Sequence, residues 1–318
     1  MAGILTASPA GAATAIRSGL ALARRHWPLV TLVWALFAIV ALLAAWPVWS
    51  WLLKALAYSP EGDRLLSGIN LALLKELGHY DRSPTAAVAT SGLGIAALVA
   101  LLLNPFVAGG LIDVMLREPA PQEGRIARFF ERGARHYGPM LRVLVTAGIG
   151  MLLVASLTSA TIGRLAELAG DRGASYAQLV LIAVRLACAV AIFAFGGFVI
   201  DLARGMLVRS GSRRAVPAVV AAAGLAFRRF LPVAAILIGF GALFVLLATV
   251  TLGLQAILPG TGWPTIATGV VLQQLFAIGR TWLRAGSLGA ALTLLQVTPD
   301  LKTSNFSNVV AEAPVTST

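Results

Sequence analysis

Six stretches of this chain stay apolar for about 20 residues or more, and that limits what it can fold into. They run over 28–49, 86–113, 139–160, 175–201, 231–257 and 264–284. A helix of roughly 20 apolar residues crosses the hydrocarbon core of a bilayer. The spacing predicts an all-α integral membrane protein with six transmembrane helices. Composition points the same way. Hydrophobic residues make up 58% of the chain, charged residues 12%, and mean hydropathy is +0.85. Soluble domains average about 45–50% apolar and about 25% charged. The second, fourth and sixth runs continue beyond the point where charges appear, which predicts helices of about 30 residues extending past the inner face.

The formal charge of +12 is therefore no argument for a nucleic-acid partner. In a multi-pass chain, excess Arg and Lys sets topology and meets anionic lipid. Arg17, Arg24 and Arg25 precede the first run without an acid. Arg117, Arg125, Arg128, Arg132 and Arg135 follow the second, against Glu118, Glu123 and Glu131. Arg204, Arg209, Arg213, Arg214, Arg228 and Arg229 follow the fourth, with no acid after Asp201. On the opposite side, Lys54, Arg64, Lys75, Arg82, Arg164 and Arg172 are balanced by six acids. The positive-inside rule then places both termini in the cytoplasm of a bacterial cell, with the chain in the inner membrane. Trp27 and Trp282 fall at one interface, and Trp46, Trp49, Trp51 and Trp263 at the other.

The start of the chain lacks the basic residue and the apolar core of a cleavable signal, so residues 1–13 read as a flexible cytoplasmic tail, like 298–318. Residues 14–297 read as one transmembrane domain. Between the first two runs, Ser59 as N-cap, Pro60, and Leu66, Ile69, Leu73 and Leu77 at helical spacing predict a helix lying on the outer surface. Cys188, the one cysteine, sits in an apolar run and reads as a small buried hydrophobe. His26, His79 and His136 show no metal-ligand spacing, and no cofactor is expected.

Charge lies against oil in a repeated way. "LALARRHWPLV", "RGARHYGPMLRVLV" and "LAFRRFLPVAAIL" align on Pro28, Pro139 and Pro232. Arg24, Arg135 and Arg228 stand four residues before each proline, and Arg25, His136 and Arg229 three before. A short amphipathic stretch precedes each, and "GGLID" and "GGFVID" recur in the partner helices. The simplest account is three repeats, about 14–118, 119–210 and 211–297. Each would be an interfacial helix, a turn at proline, and a helical hairpin. The six basic residues would anchor the interfacial helices to lipid phosphates. Proline at the start of a helix costs no helical hydrogen bond. This pattern of basic and aromatic interfacial helices followed by spans with small residues resembles a class of bacterial multi-pass proteins similar to the membrane domain of glycerophosphodiester phosphodiesterases. The resemblance covers most of 14–297 as pattern. It implies a bundle with surface helices and carries over no catalytic residue, because phosphodiester chemistry in that family sits in a separate soluble domain.

No phosphate-binding loop, HExxH, CxxC or GxSxG motif is present, and no nucleophile and base fall in one layer. A non-enzyme is expected. Gly92 with Ala96, Gly148 with Gly150, and Gly239 with Gly241 suit close helix packing. Asp113 and Asp201 sit near helix C-termini, where the dipole disfavours an anion. Arg117 at i+4 and Arg204 at i+3 are their expected structural partners. Arg185 lies nine residues past Tyr176, about 14 Å into the membrane. Gln273 and Gln274 fall at a similar depth, and Gln178 lies two turns from Arg185. A midplane arginine costs at least about 2.5 kcal/mol and needs a partner, so these four form a candidate polar intramembrane site. Two function classes follow. One is a scaffold or accessory subunit with anionic-lipid contacts and a membrane-protein partner or second copy. The other is a transporter or channel for a small or anionic substrate.

Overall fold

Eight helices and no strand make up the described residues of the protein in a computed structural model, which cover 11–56, 84–117, 124–168, 175–258 and 263–296. They are α1 Ala12–Arg25, α2 Trp27–Leu56, α3 Pro84–Leu116, α4 Arg125–Leu168, α5 Ser175–Ser210, α6 Ala215–Arg228, α7 Phe230–Ile257 and α8 Trp263–Gln296. Five segments, Trp27–Pro47, Ser91–Leu116, Arg125–Arg164, Val180–Ser210 and Phe230–Ile257, are long and apolar enough to cross a membrane. The architecture is thus all-helical with multi-pass character. α8, at 34 residues, falls outside that group. Gln273, Gln274, Arg280 and Arg284 lower its hydropathy. α3, α5 and α8 run 33, 36 and 34 residues, close to the length expected from where their apolar sequence stops. The expected outer-surface helix at 59–78 and the tails, apart from the first residues of α1, lie outside the described residues.

Two helix breaks follow from the prolines. Pro28 is the second residue of α2 and Pro232 the third of α7, where the missing N–H has no helical acceptor to lose. Between α1 and α2 the carbonyl of His26 accepts from the N–H groups of Leu29 and Val30, at 3.0 and 3.2 Å. Between α6 and α7, Arg229 donates to the Leu225 carbonyl and its own carbonyl accepts from Val233. Pro139 behaves differently. The expected turn there is absent, and α4 runs unbroken through it for 44 residues. An interior proline removes one hydrogen bond, here to the Arg135 carbonyl, which a helix tolerates when other contacts hold it. The start of α4 is held by α3.

The chain forms two compact units. One comprises 23–141 and 241–285. In it α2 packs along α3, where Gly92 meets the Pro47 ring: a Cβ there would stand 2.7 Å from Pro47 Cγ. The end of α3 packs on the start of α4. A Cβ on Gly133 would stand 2.9 Å from the Phe106 carbonyl oxygen, and one on Gly109 would stand 3.1 Å from His136 Cβ. Phe106, Phe129 and Phe130 cluster beside this crossing, with ring centroids 5.3–6.2 Å apart. Buried side chains gather here, among them Val107, Ile112, Phe129 and Met140.

The other unit comprises 1–22, 142–240 and 286–318. Its core lies among the first turns of α1, the last turns of α5, α6, the start of α7 and the end of α8. Gly19 meets the α8 backbone so closely that a Cβ would stand 2.7 Å from Ala290 N. Gly205 faces Leu292 and Leu295, and Arg209 Nη1 donates to the Leu295 carbonyl at 2.8 Å. Gly211, at φ 67°, supplies the left-handed turn that ends α5 and starts the short link to α6. Phe195 packs on Phe227 and Phe230, at 5.1 and 6.3 Å between centroids. Of the expected packing glycines, Gly92 and Gly239 are in close contact, the latter against Ile16, whereas Gly148, Gly150 and Gly241 face open space.

Candidate functional site

Asp113, 0% exposed and three residues before the end of α3, has four basic side chains within 4 Å of its carboxylate. α4 presents Arg128, Arg132 and His136 to it, a stripe at i, i+4 and i+8 on one helix face. Arg128 donates from both Nε and Nη2 to Asp113 Oδ2, each at 3.2 Å. Arg132 Nε stands 3.8 Å from Oδ2, and His136 Nε2 3.8 Å from Oδ1. The latter contact is ionic only when the imidazole is protonated. Arg117, one turn on along α3, places Nε 3.7 Å from Oδ1. Burial grades outward, from Arg128 at 8% exposed through His136 at 18% and Arg132 at 21% to Arg117 at 53%.

The glycines of the α3–α4 crossing make this geometry possible. Gly109, Gly110 and Gly133 bring the helices together, so that the short aspartate side chain reaches the α4 stripe. An anion near a helix C-terminus is unfavourable by itself, and the arginines offset that cost. Sequence spacing pointed to Arg117 as the partner of Asp113. Arg128 is closer and far more buried. The signal for it was the Arg128–Arg132–His136 periodicity, which marks one face of α4 but names no partner across the loop.

The remaining expected residues fall as follows. Asp201 and Arg204 are both buried on α5, at 1% and 2% exposed. Arg24, Arg25, Arg135 and Arg228 are exposed, and Arg229 is half-buried. Exposed Trp27 neighbours the first pair along the chain, and exposed Phe227, Phe230 and Leu231 flank the last. His136, grouped with these anchors by its position before Pro139, is instead turned to Asp113. Arg185 is exposed, and its Nη2 lies 3.2 Å from where a Cβ on Gly163 would be, so the guanidinium rests against α4. Gln273 and Gln274 are exposed on α8 in the other unit. The side chain of Gln178 lies outside the described residues. Cys188 is half-buried, and among the described residues no three His, Cys, Asp or Glu side chains come together in a metal-binding group. Comparison with protein-family models, curated proteins and solved structures finds no match.

Proposed function

We propose that the chain is a non-enzymatic multi-pass protein of the bacterial inner membrane, a scaffold or accessory subunit held in place by anionic lipid. The observation that carries this reading is the exposure of arginines beside aromatic side chains at the helix junctions: Arg24 and Arg25 before Trp27, and Arg228 between Phe227 and Phe230. Guanidinium groups seek phosphates and amphipathic rings seek headgroup depth. In this reading α8 is a sixth span and both termini are cytoplasmic. Three repeats are supported by a recurring pairing: α3 packs on the start of α4, α5 on α6, and α8 on α1.

Replacing Arg24, Arg135 and Arg228 by glutamine tests the lipid contact. Each contributes on the order of 1 kcal/mol of surface attraction, so the triple variant should purify with less anionic lipid. Unchanged lipid content would leave the arginines a topological role alone. Co-purification in mild detergent tests the scaffold role, and a stable partner retained by the native protein is the expected result.

A transport reading would rest on Arg185 with Gln178, Gln273 and Gln274. The contact with Gly163, five residues from the end of α4, favours a different role for Arg185: a side chain reaching along its neighbour towards the outer headgroups.

A further inference from the structure

We propose that Arg132 and His136, held beside Asp113, form a binding site for a phosphate monoester carried on a membrane lipid. The proposal rests on the anionic-lipid reading above and adds to it a particular residue pair and a particular headgroup.

Hydrogen-bond geometry separates the basic groups around Asp113 into two kinds. Arg128 bonds Oδ2 with two N–H donors at 3.2 Å. Arg132 and His136 stand at 3.8 Å, beyond hydrogen-bond length. Arg132 Nε is buried and makes no hydrogen bond. Its other acidic neighbour, the exposed Glu131, is 3.9 Å away. A guanidinium carries five N–H donors in a planar fork, so Arg132 is aligned by the aspartate without being consumed by it. His136 follows one turn later on the same face of α4. Both are partly open to the surroundings, at 21% and 18% exposed.

The geometry suits a tetrahedral anion. A carboxylate uses both oxygens on one arginine fork, whereas a phosphate monoester has a third for a ring N–H. A monoester also carries about −1.5 to −2 charge at pH 7, against −1 for the diester headgroups of common anionic lipids. The apolar setting points to a lipid as the carrier. Ile126 and Phe130 are exposed on the same turns of α4. Arg132 lies seven residues before Pro139, where the apolar run begins, or about 10 Å along the helix. That is headgroup depth.

The test uses the full chain in neutral detergent and reads its thermal midpoint. Dioctanoyl phosphatidic acid should raise the midpoint saturably. Phosphatidylglycerol with the same chains should bind about tenfold more weakly or worse, having one negative charge and no free monoester oxygen. Arg132→Gln should weaken half-saturation by phosphatidic acid by about tenfold. Arg132→Lys, which keeps charge and loses the fork, should fall between. The Arg24, Arg135, Arg228 triple variant should keep the wild-type half-saturation. An equal response to both lipids, or undiminished binding by Arg132→Gln, overturns the site. If that variant does not purify, undiminished binding by Arg132→Lys overturns it instead. Inorganic phosphate binding as tightly as the lipid, with the same dependence on Arg132, keeps the anion chemistry and overturns the lipid source. Loss in the triple variant alone overturns this site while leaving the general lipid contact standing; lipid retention unchanged in the triple variant, with loss in Arg132→Gln, does the reverse.

Discussion

Asp113 and its arginines differ in what their removal should cost. Arg128 is 8% exposed and bonds a fully buried carboxylate through two N–H groups. Removing the acid leaves that guanidinium in a poorly solvated place, and breaking a buried pair from one side costs about 3–5 kcal/mol. Asp113→Ala should therefore lower the thermal midpoint of the purified protein substantially. Arg117 is more than half exposed with its Nε 3.7 Å away. Pairs of that kind contribute roughly 0–1 kcal/mol, so Arg117→Gln should leave the midpoint nearly unchanged. Equal losses in the two variants would contradict the burial order. Sequence spacing could reach Arg117 because both residues share one helix. Arg128 lies fifteen positions from Asp113 on the next helix, and no local period reports such a contact. The same limit explains Arg185: its distance from the end of α5 was readable, but its rest against Gly163 depends on how α4 and α5 pack.

Among helices, the glycines divide by what lies across from them. At Gly133 a Cβ would meet the Phe106 backbone oxygen at 2.9 Å, and a backbone atom cannot step aside. At Gly150, farther along the same helix, nothing lies within 4 Å. Gly133→Val should push α3 from α4, separate Asp113 from its stripe and reduce yield of folded protein. Gly150→Ala should be neutral or stabilise by up to about 1 kcal/mol, since alanine is the better helix former. Thermal midpoints of the two variants side by side check this, and a destabilised Gly150→Ala would show an unseen contact there. Gly150 stood in a sequence pattern suited to close packing and Gly133 did not, because what lies across from a glycine depends on the neighbouring helix and leaves no local signal. The apolar runs themselves were legible because run length is a property of one helix. The continuity of α4 was not. Pro28, Pro139 and Pro232 share a motif, yet Pro139 sits inside a helix whose first turns are tied to α3 through Gly133, Arg128 and His136.

For the whole molecule, topology turns on α8. Five segments meet the length and hydropathy of a span without it, and with five crossings the two termini would lie on opposite sides. The proposal of six crossings needs the charges of α8 to be affordable. Arg280 lies seventeen residues past Trp263, about 26 Å along the helix. In a core of roughly 30 Å that is the inner edge, where a long side chain reaches headgroups at little cost. Gln273 and Gln274 lie deeper but carry no charge. Reporter fusions separate the two counts by parity. Fusions at Gly211 and Thr318 should read cytoplasmic, and those at Gly68 and Gly260 should read outside. If α8 does not cross, Gly260 and Thr318 must report the same side, whatever the rest of the chain does. A periplasmic reading at Gly211 would be more damaging. It would reverse the arginine-rich link between α5 and α6, place Arg209, Arg213 and Arg214 against the positive-inside rule, and remove the inner-face setting in which the junction arginines meet anionic lipid.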